Sequence, residues 1–384
     1  MGKIWWEQSE NYFLEAMSYI NPLKMRNSQD EIVSKFFEDY NKSTLTSFIF
    51  ESNTIEREGL SEEDTKKIVF EGLNCYESII NTDSFENSFE DSFEDVLDVK
   101  AIKLKQLRSN VSHSVALIYK NKEKEYFQVS NQMIAILEAD MRAINFCIWV
   151  NYRFKELIEI RAAIELAENQ KTPHEQLEKI HKKLLELEAE TRYLIDEDFI
   201  KKIHEYLAED MDNNENGLPG EYRPNGAWVN FNTIFLEPSL IAPTMRKLIQ
   251  DHQKRCNSER FNLILEACKV SADIVKIHPF GDFNGRTSRI ILNTVLRSGR
   301  LPFYLVLRGN SRDKRKYITS MQQYFQKKRL KGYIALVCSS FLQQVNEINE
   351  KLKLAGIAPI EPEVYTEEKR KQLISELDYY TSTT

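Results

Sequence analysis

Residues 278–289, HPFGDFNGRTSR, gather a histidine, a carboxylate, an amide, two glycines and two arginines into one short stretch. Pro279 stops a helix that runs up to Ile277, Gly281 and Asp282 turn the chain, and a new helix starts near Phe283–Asn284. The backbone N–H groups of residues 283–286 then converge on one point, an anion pocket at a helix N-terminus. Gly285 lets a phosphate approach the backbone closely. Arg286 and Arg289 lie one turn apart and reach the same side. Asp282 is a hard oxygen ligand that could hold Mg²⁺ against phosphate groups. His278, at the end of the preceding helix, is placed to take a proton from an incoming hydroxyl. Each residue taken singly has a plainer role: a packed histidine, an N-cap aspartate, solvated arginines. All of these in the right order favour the phosphate site. Phe283 is the odd residue, a bulky ring among small polar groups.

The rest of the chain must build a scaffold for this stretch. With 384 residues, 42% hydrophobic and 29% charged, it has the composition of a soluble globular protein with a sizeable core. A net charge of −7 supplies no basic field for nucleic acid. Every apolar run is broken by charge before it reaches membrane-spanning length, and the N-terminus lacks the apolar core of a signal peptide. A cytoplasmic location is therefore expected, with secretion by a signal-free route left open. The five cysteines are widely separated, form no C-x-x-C or Cys/His cluster, and are expected to be reduced thiols.

Glycine and proline are scarce, and apolar residues recur at helical spacing over 32–50, 133–167, 177–194, 199–207, 261–277, 290–296 and 333–354. The fold class expected is mainly α. Two stretches break the rhythm. In residues 82–96, TDSFENSFEDSFEDV, Phe85, Phe89 and Phe93 would share one helix face, either as an amphipathic surface or as a docking strip. In residues 211–238, turn-forming Asn, Gly and Pro precede AWVNFNTIF, which reads as a short hairpin.

The pattern H-P-F-x-[DE]-G-N-G-R-x-x-R is the signature of the Fic domain family, and residues 278–289 resemble it at every specified position except 283, where Phe stands for Gly. GLPGEYRPNGAWVNFNTIFLEP is similar to that family's G-x-Y-R turn and flap hairpin, so the resemblance covers roughly 195–345. It implies a Fic-type helical bundle with a short β-hairpin flap and transfer of a nucleoside monophosphate, most often AMP from ATP, to Ser, Thr or Tyr hydroxyls of target proteins. By this resemblance His278 is the general base and Asp282 holds Mg²⁺ on the phosphates. Asn284 and the backbone at Gly285 cradle the α-phosphate, Arg286 clamps the β-phosphate and Arg289 reaches the γ-phosphate. Val229, Asn230, Phe231, Asn232 and Thr233 would pair edge-to-edge with an extended target segment. Phe280 is expected to plug the core beneath the loop. Phe283, if it takes the helical φ near −60° that suits any L-residue, keeps its N–H aimed at phosphate. Its ring then folds down onto Ile290 or its apolar neighbours.

A second stretch, FESNTIEREGLSEED, resembles the family's inhibitory helix, [ST]-x-x-x-E-[GN], in two registers. Ser52 to Glu56 leaves Arg57 where Gly or Asn is expected; Thr54 to Glu58 is followed by Gly59. Glu56 is favoured because it also aligns Leu60 and Ser61 with the next helix start, and Glu58 is the alternative. A carboxylate on Arg289 would occupy the room the γ-phosphate needs. The chain divides by this reading into an N-terminal helical region (1–95) carrying the inhibitory helix at about 50–64, a helical insertion (96–194), the catalytic core (195–345) and a C-terminal helical extension (346–384). The partners expected are ATP and protein hydroxyls, including the chain's own, with no nucleic acid and no membrane; a homodimer is left open. Removal of AMP, transfer of UMP or phosphocholine, and a catalytically dead nucleotide-binding scaffold stand as alternatives, the last two because of Phe283.

Overall fold

The computed structural model describes residues 5–81, 123–169, 179, 182, 194–209, 217–229 and 233–382. The acidic Phe repeat at 82–96 and almost all of the helix expected at 177–194 fall outside them. The described chain is mainly α, with one two-stranded hairpin. A 3₁₀ turn (Trp5–Gln8) leads into α1 (Ser9–Gln29), followed by α2 (Glu31–Glu56), α3 (Glu62–Asn81) and the long α4 (Glu123–Asn169). After α5 (Glu197–Ala208) come β1 (Trp228–Val229) and β2 (Thr233–Ile234), then α6 (Pro238–Cys256), α7 (Leu263–Ile277) and α8 (Asn284–Ser298). The chain closes with α9 (Ser311–Lys327), α10 (Lys331–Leu354) and α11 (Glu367–Ser382).

Helix starts follow from side-chain caps. Asp30 accepts from the Val33 N–H at 3.2 Å, Asp196 from Phe199 at 2.7 Å and Asn262 from Leu265 at 3.3 Å. Ser61 Oγ accepts from the Asp64 N–H at 3.1 Å at the start of α3, and its hydroxyl donates to the Asp64 carboxylate at 2.8 Å. The first helix, α1, has no counterpart among the sequence-expected segments, and Pro22 inside it accounts for that. Proline removes the donor that would bond the Ser18 carbonyl. That carbonyl instead accepts from the Glu363 N–H at 2.8 Å, so a distant segment completes the helix.

The middle of the bundle is α8. Nearly all of it is buried, and it packs against α7, α4, α5 and α2. A helix covered on all sides should be apolar throughout; here Ile290, Ile291, Leu292, Val295 and Leu296 are, while the first turns carry Asn284, Arg286 and Arg289. Those polar groups need partners: Asn284 finds them in the preceding loop, and the arginines in the last turn of α2 and the residues just after it. One hydrophobic cluster runs through the described helices from α1 to α11. No described helix is long and apolar enough to cross a membrane.

Candidate active site

His278 ends α7 in the left-handed region (φ 54°, ψ 58°), which lifts its ring out of the helix. The ring stacks on Phe235, the residue after β2, with centroids 3.9 Å apart and planes 8° from parallel. Burial, helped by the Arg223 guanidinium, pushes its pKa down to about 4, against the opposing pull of the Val275 carbonyl and Glu56. The imidazole is therefore neutral at physiological pH. Its Nδ1 is buried with no hydrogen bond of normal geometry.

Two residues that the sequence reading gave no chemical role fix the loop around it. Arg223, from the G-x-Y-R turn, donates from Nε to the His278 carbonyl at 2.8 Å and from its Nη atoms to the carbonyls of Asn225 and Leu236. Its own N–H donates to the Pro279 carbonyl at 2.9 Å. One buried guanidinium thus joins the loop after α7 to both ends of the hairpin. His204 of α5 lies flat on Phe280, 3.8 Å between centroids, while its Nδ1 accepts from the Gly220 N–H at 3.0 Å. Burial lowers its pKa to about 3, so it packs as a neutral aromatic. Phe280 is fully buried beneath the loop, as its position implied.

Asn284 departs from the role the resemblance gave it. Its side chain accepts from the Phe280 N–H at 3.0 Å and donates to the carbonyls of Phe280 and Asp282 at 2.8 and 3.3 Å. Both amide ends are committed inside the loop, so Asn284 shapes the cradle and its side chain does not point into it. Asp282 is exposed, and its Oδ1 accepts from the Phe283 N–H at 2.6 Å.

Phe283 corrects the expectation of a helical φ. It is the N-cap of α8 at φ 58°, ψ 5°, a left-handed conformation that glycine adopts without cost and L-residues do not. Its N–H is turned onto Asp282 and does not join the anion pocket. The ring does fold down: it is buried, with the Arg286 guanidinium carbon 4.1 Å from its centroid and His204 edge-on at 6.2 Å. The ring joins the apolar core and also receives the Arg286 cation on its face.

Arg286 and Arg289, in the first turns of α8, are buried, at 2% and 1% exposure, and each meets a carboxylate at or just beyond the end of α2. Arg289 Nη2 pairs with Glu56 Oε1 at 2.7 Å and also reaches the Ser52 carbonyl, while its Nε donates to Ser52 Oγ at 2.9 Å. Ser52 and Glu56, the two ends of the favoured register, thus hold the same arginine. Burial alone would raise the Glu56 pKa, but Arg289, with Arg286 and Lys314 adding to it, holds the carboxyl below the usual range. Glu58 is not idle either. Its Oε2 accepts from Arg286 Nη2 at 2.7 Å and from Gln128 Nε2 of α4 at 2.6 Å. The end of α2 is pinned from outside by Lys314, which donates to the Thr54 carbonyl at 3.1 Å, and by Glu51, which accepts from the Gly309 N–H at 2.6 Å. Arg57 then turns the chain in the left-handed region (φ 65°), which explains why Gly or Asn suits that position.

Of the flap residues, Val229 and Thr233 are register partners in the hairpin; Asn230, Phe231 and Asn232 lie outside the described residues. Cys256, Cys268 and Cys338 are free, and no cluster of three metal-ligating side chains occurs among the described residues.

Comparison with known proteins gives the family of the chain. The Fic/DOC family model matches residues 194–296, the span from the start of α5 to near the end of α8. A Fido domain-containing protein of Dictyostelium discoideum is 33% identical over 121 residues, covering 31% of this chain and 82% of that protein. The chain belongs to the Fic family. Among solved structures, a Fic domain-containing signaling protein from Bacteroides thetaiotaomicron matches with 14% identity and a TM-score of 0.47, covering 97% of this chain and 98% of its own. Fic-1 from C. elegans matches with 12% identity and the same TM-score, covering 89% of this chain and 73% of that one. Proteins of this family are generally transferases that move nucleotides or other phosphate-linked groups onto proteins.

Proposed function

We propose that the chain is a self-inhibited protein adenylyltransferase that moves AMP from ATP onto Ser, Thr or Tyr hydroxyls of target proteins and of itself. The observation that carries this reading is the seat of Glu56. Its carboxylate lies on Arg289 at the N-terminus of α8 and so close above Gly285 that a Cβ there would fall 2.3 Å from Oε1. An anion already occupies the cradle. Arg289 Nη1 and Arg286 Nε are buried without a hydrogen-bond partner, which suits a ligand with more acceptor oxygens than one carboxylate.

In this reading the inhibitory carboxylate withdraws and phosphate oxygens take its place, the γ-phosphate on Arg289 and the β-phosphate on Arg286. Neutral His278 accepts the proton of the target hydroxyl as its oxygen bonds to the α-phosphorus. The bond from that phosphorus to the bridging oxygen breaks, and pyrophosphate leaves. A single exposed carboxylate at Asp282 fits Mg²⁺, which is commonly held by one or two protein oxygens and otherwise by phosphates and water. The ion would offset charge on the departing pyrophosphate. The hairpin would present the target as an added strand.

Transfer of UMP or phosphocholine, and a dead scaffold, rested on Phe283 as an intruder; the buried ring weakens both. Removal of AMP stays compatible with a carboxylate beside the α-phosphate site. The test is a Glu56→Gly chain incubated with Mg²⁺ and, in turn, α-labelled ATP, GTP, CTP, UTP and choline-labelled CDP-choline, with and without a cell lysate. Label on protein from ATP alone is expected. Label from UTP or CDP-choline alone, or from none, would overturn the assignment.

A further inference from the structure

Behind the hairpin, β2, α6, α7 and α9 enclose an open cavity of about 480 Å³ that the site above leaves unused. Its bed is apolar, formed by Phe235, Leu248, Ile277 and Phe325. A cavity of about 150 Å³ already binds benzene, so there is room for a phenyl ring and its neighbours. The polar wall is cationic in balance. Asp273 is engaged by Lys269 at 2.7 Å and by the Tyr324 hydroxyl. Lys276 stands over the same Tyr324 ring, 4.9 Å from its centroid, with no ion pair among the described residues. Burial lowers its pKa, the mark of a poorly solvated cation.

The cavity opens onto an exposed apolar face. Trp228 and Ile234 are register partners, so their side chains share one side of the hairpin, and they are 73% and 82% exposed. Ile234 also lines the cavity. A bulky exposed pair beside a hollow marks an interaction surface. On its other side the cavity is one ring from the catalytic histidine, because Phe235 stacks on His278.

The complement of an apolar bed edged by Lys247, Lys269 and Lys276 against Asp251 and Asp273 is an aromatic side chain followed by an acid, and this chain contains it three times. In 82–96, TDSFENSFEDSFEDV, each of Phe85, Phe89 and Phe93 follows a serine and precedes a glutamate, with no Lys or Arg between. We propose that the cavity behind the hairpin is a docking site for this Ser-Phe-Glu repeat, the phenyl ring in the apolar bed and the next carboxylate on Lys276. The docking stands by itself. That it would bring serine hydroxyls near His278 for modification rests on the transfer reading above.

The test uses the full chain carrying Phe85→Ala, Phe89→Ala and Phe93→Ala, which frees the cavity of its own repeat. Fluorescein-labelled TDSFENSFEDSFEDV is titrated without nucleotide, beside one peptide with its phenylalanines changed to Ala and another with its glutamates changed to Lys. The parent peptide should bind at least tenfold tighter than either, and more weakly to the unmutated chain, whose own repeat competes. Lys276→Glu in the triple variant should weaken it by tenfold or more. Equal binding of the three peptides would overturn the docking, and so would indifference to Lys276→Glu in a chain that folds. The peptide arms decide the matter if that variant does not fold. Label from ATP tests the other reading separately: docking without label counts against transfer alone, and label without docking against this proposal alone.

Discussion

A β-carbon on Gly285 would lie 2.3 Å from Oε1 of Glu56 and 3.1 Å from Nη1 of Arg289. The glycine is needed for the inhibited arrangement as much as for a bound phosphate, because both press an anion against the same stretch of backbone. On the transfer reading proposed above, Glu56 and nucleotide would exclude each other by occupying one volume.

Glu56→Gly should raise ATP affinity and self-modification by at least tenfold, read by calorimetry and by label incorporation. Glu58→Ala frees Arg286 and should give a smaller gain, since Arg289 stays covered. The two changes together should exceed the product of the single effects if the carboxylates act as one lock on adjacent arginines. A Glu58→Ala chain that binds ATP no better than the parent would make the Arg286 pair a packing contact only.

His278→Ala should leave ATP binding in place in the Glu56→Gly background while lowering transfer by roughly 10² to 10⁴. With a pKa near 4, His278 should give no acid limb in the rate between pH 6 and 8. The folded values of His278 and His204, about 4 and about 3, lie below the unfolded value near 6.5. Each therefore contributes stability that is full above about pH 6.5 and is lost as pH falls toward the folded value. The urea midpoint should drop steadily from pH 7 to pH 5, and a midpoint flat over that range would contradict the burial of these rings.

Arg57 and Phe283 share a left-handed backbone, at φ 65° and 58°, yet glycine at each should act with opposite sign. Arg57 is exposed at a helix C-terminus beside Lys314, so Arg57→Gly relieves strain and like-charge repulsion and should stabilise by about 0.5–1 kcal/mol. Phe283→Gly relieves similar strain but empties a buried ring site, a loss of about 3–5 kcal/mol, and should destabilise by about 2–3 kcal/mol net. Urea denaturation of both variants checks the pair, and two changes of the same sign would refute the argument.

Much of the site was legible in the sequence because its chemistry sits in one contiguous motif. The His-Pro helix stop, the glycine cradle and the arginines one turn apart are all local, and so is the Ser52–Glu56 spacing that reaches Arg289. What stayed hidden depends on contacts across the fold. That Glu58 meets Arg286 requires α2, α4 and α8 to come together, and no pattern in 50–64 records Gln128. Asn284 turned inward because the loop's own carbonyls and the Phe280 N–H lay within reach. The φ of Phe283 could not be read from a residue type that ordinarily avoids that region. Arg223 and His204 were visible only as a turn residue and a helix residue; an arginine directly before Pro-Asn-Gly was the available signal. The helix α1 was obscured by Pro22, whose missing bond is made good more than three hundred residues later, at Glu363.

The stack between Phe235 and His278 ties the aim of the base to the posture of the hairpin, 3.9 Å from ring to ring. A strand laid along the hairpin edge would press on β2, and β2 leads directly into that ring. Water arriving alone exerts no such leverage. The enzyme would then draw its reluctance to squander nucleotide from two separate sources: a carboxylate that keeps ATP out, and an imidazole that comes to bear only when a polypeptide guest has settled on the rail beside it.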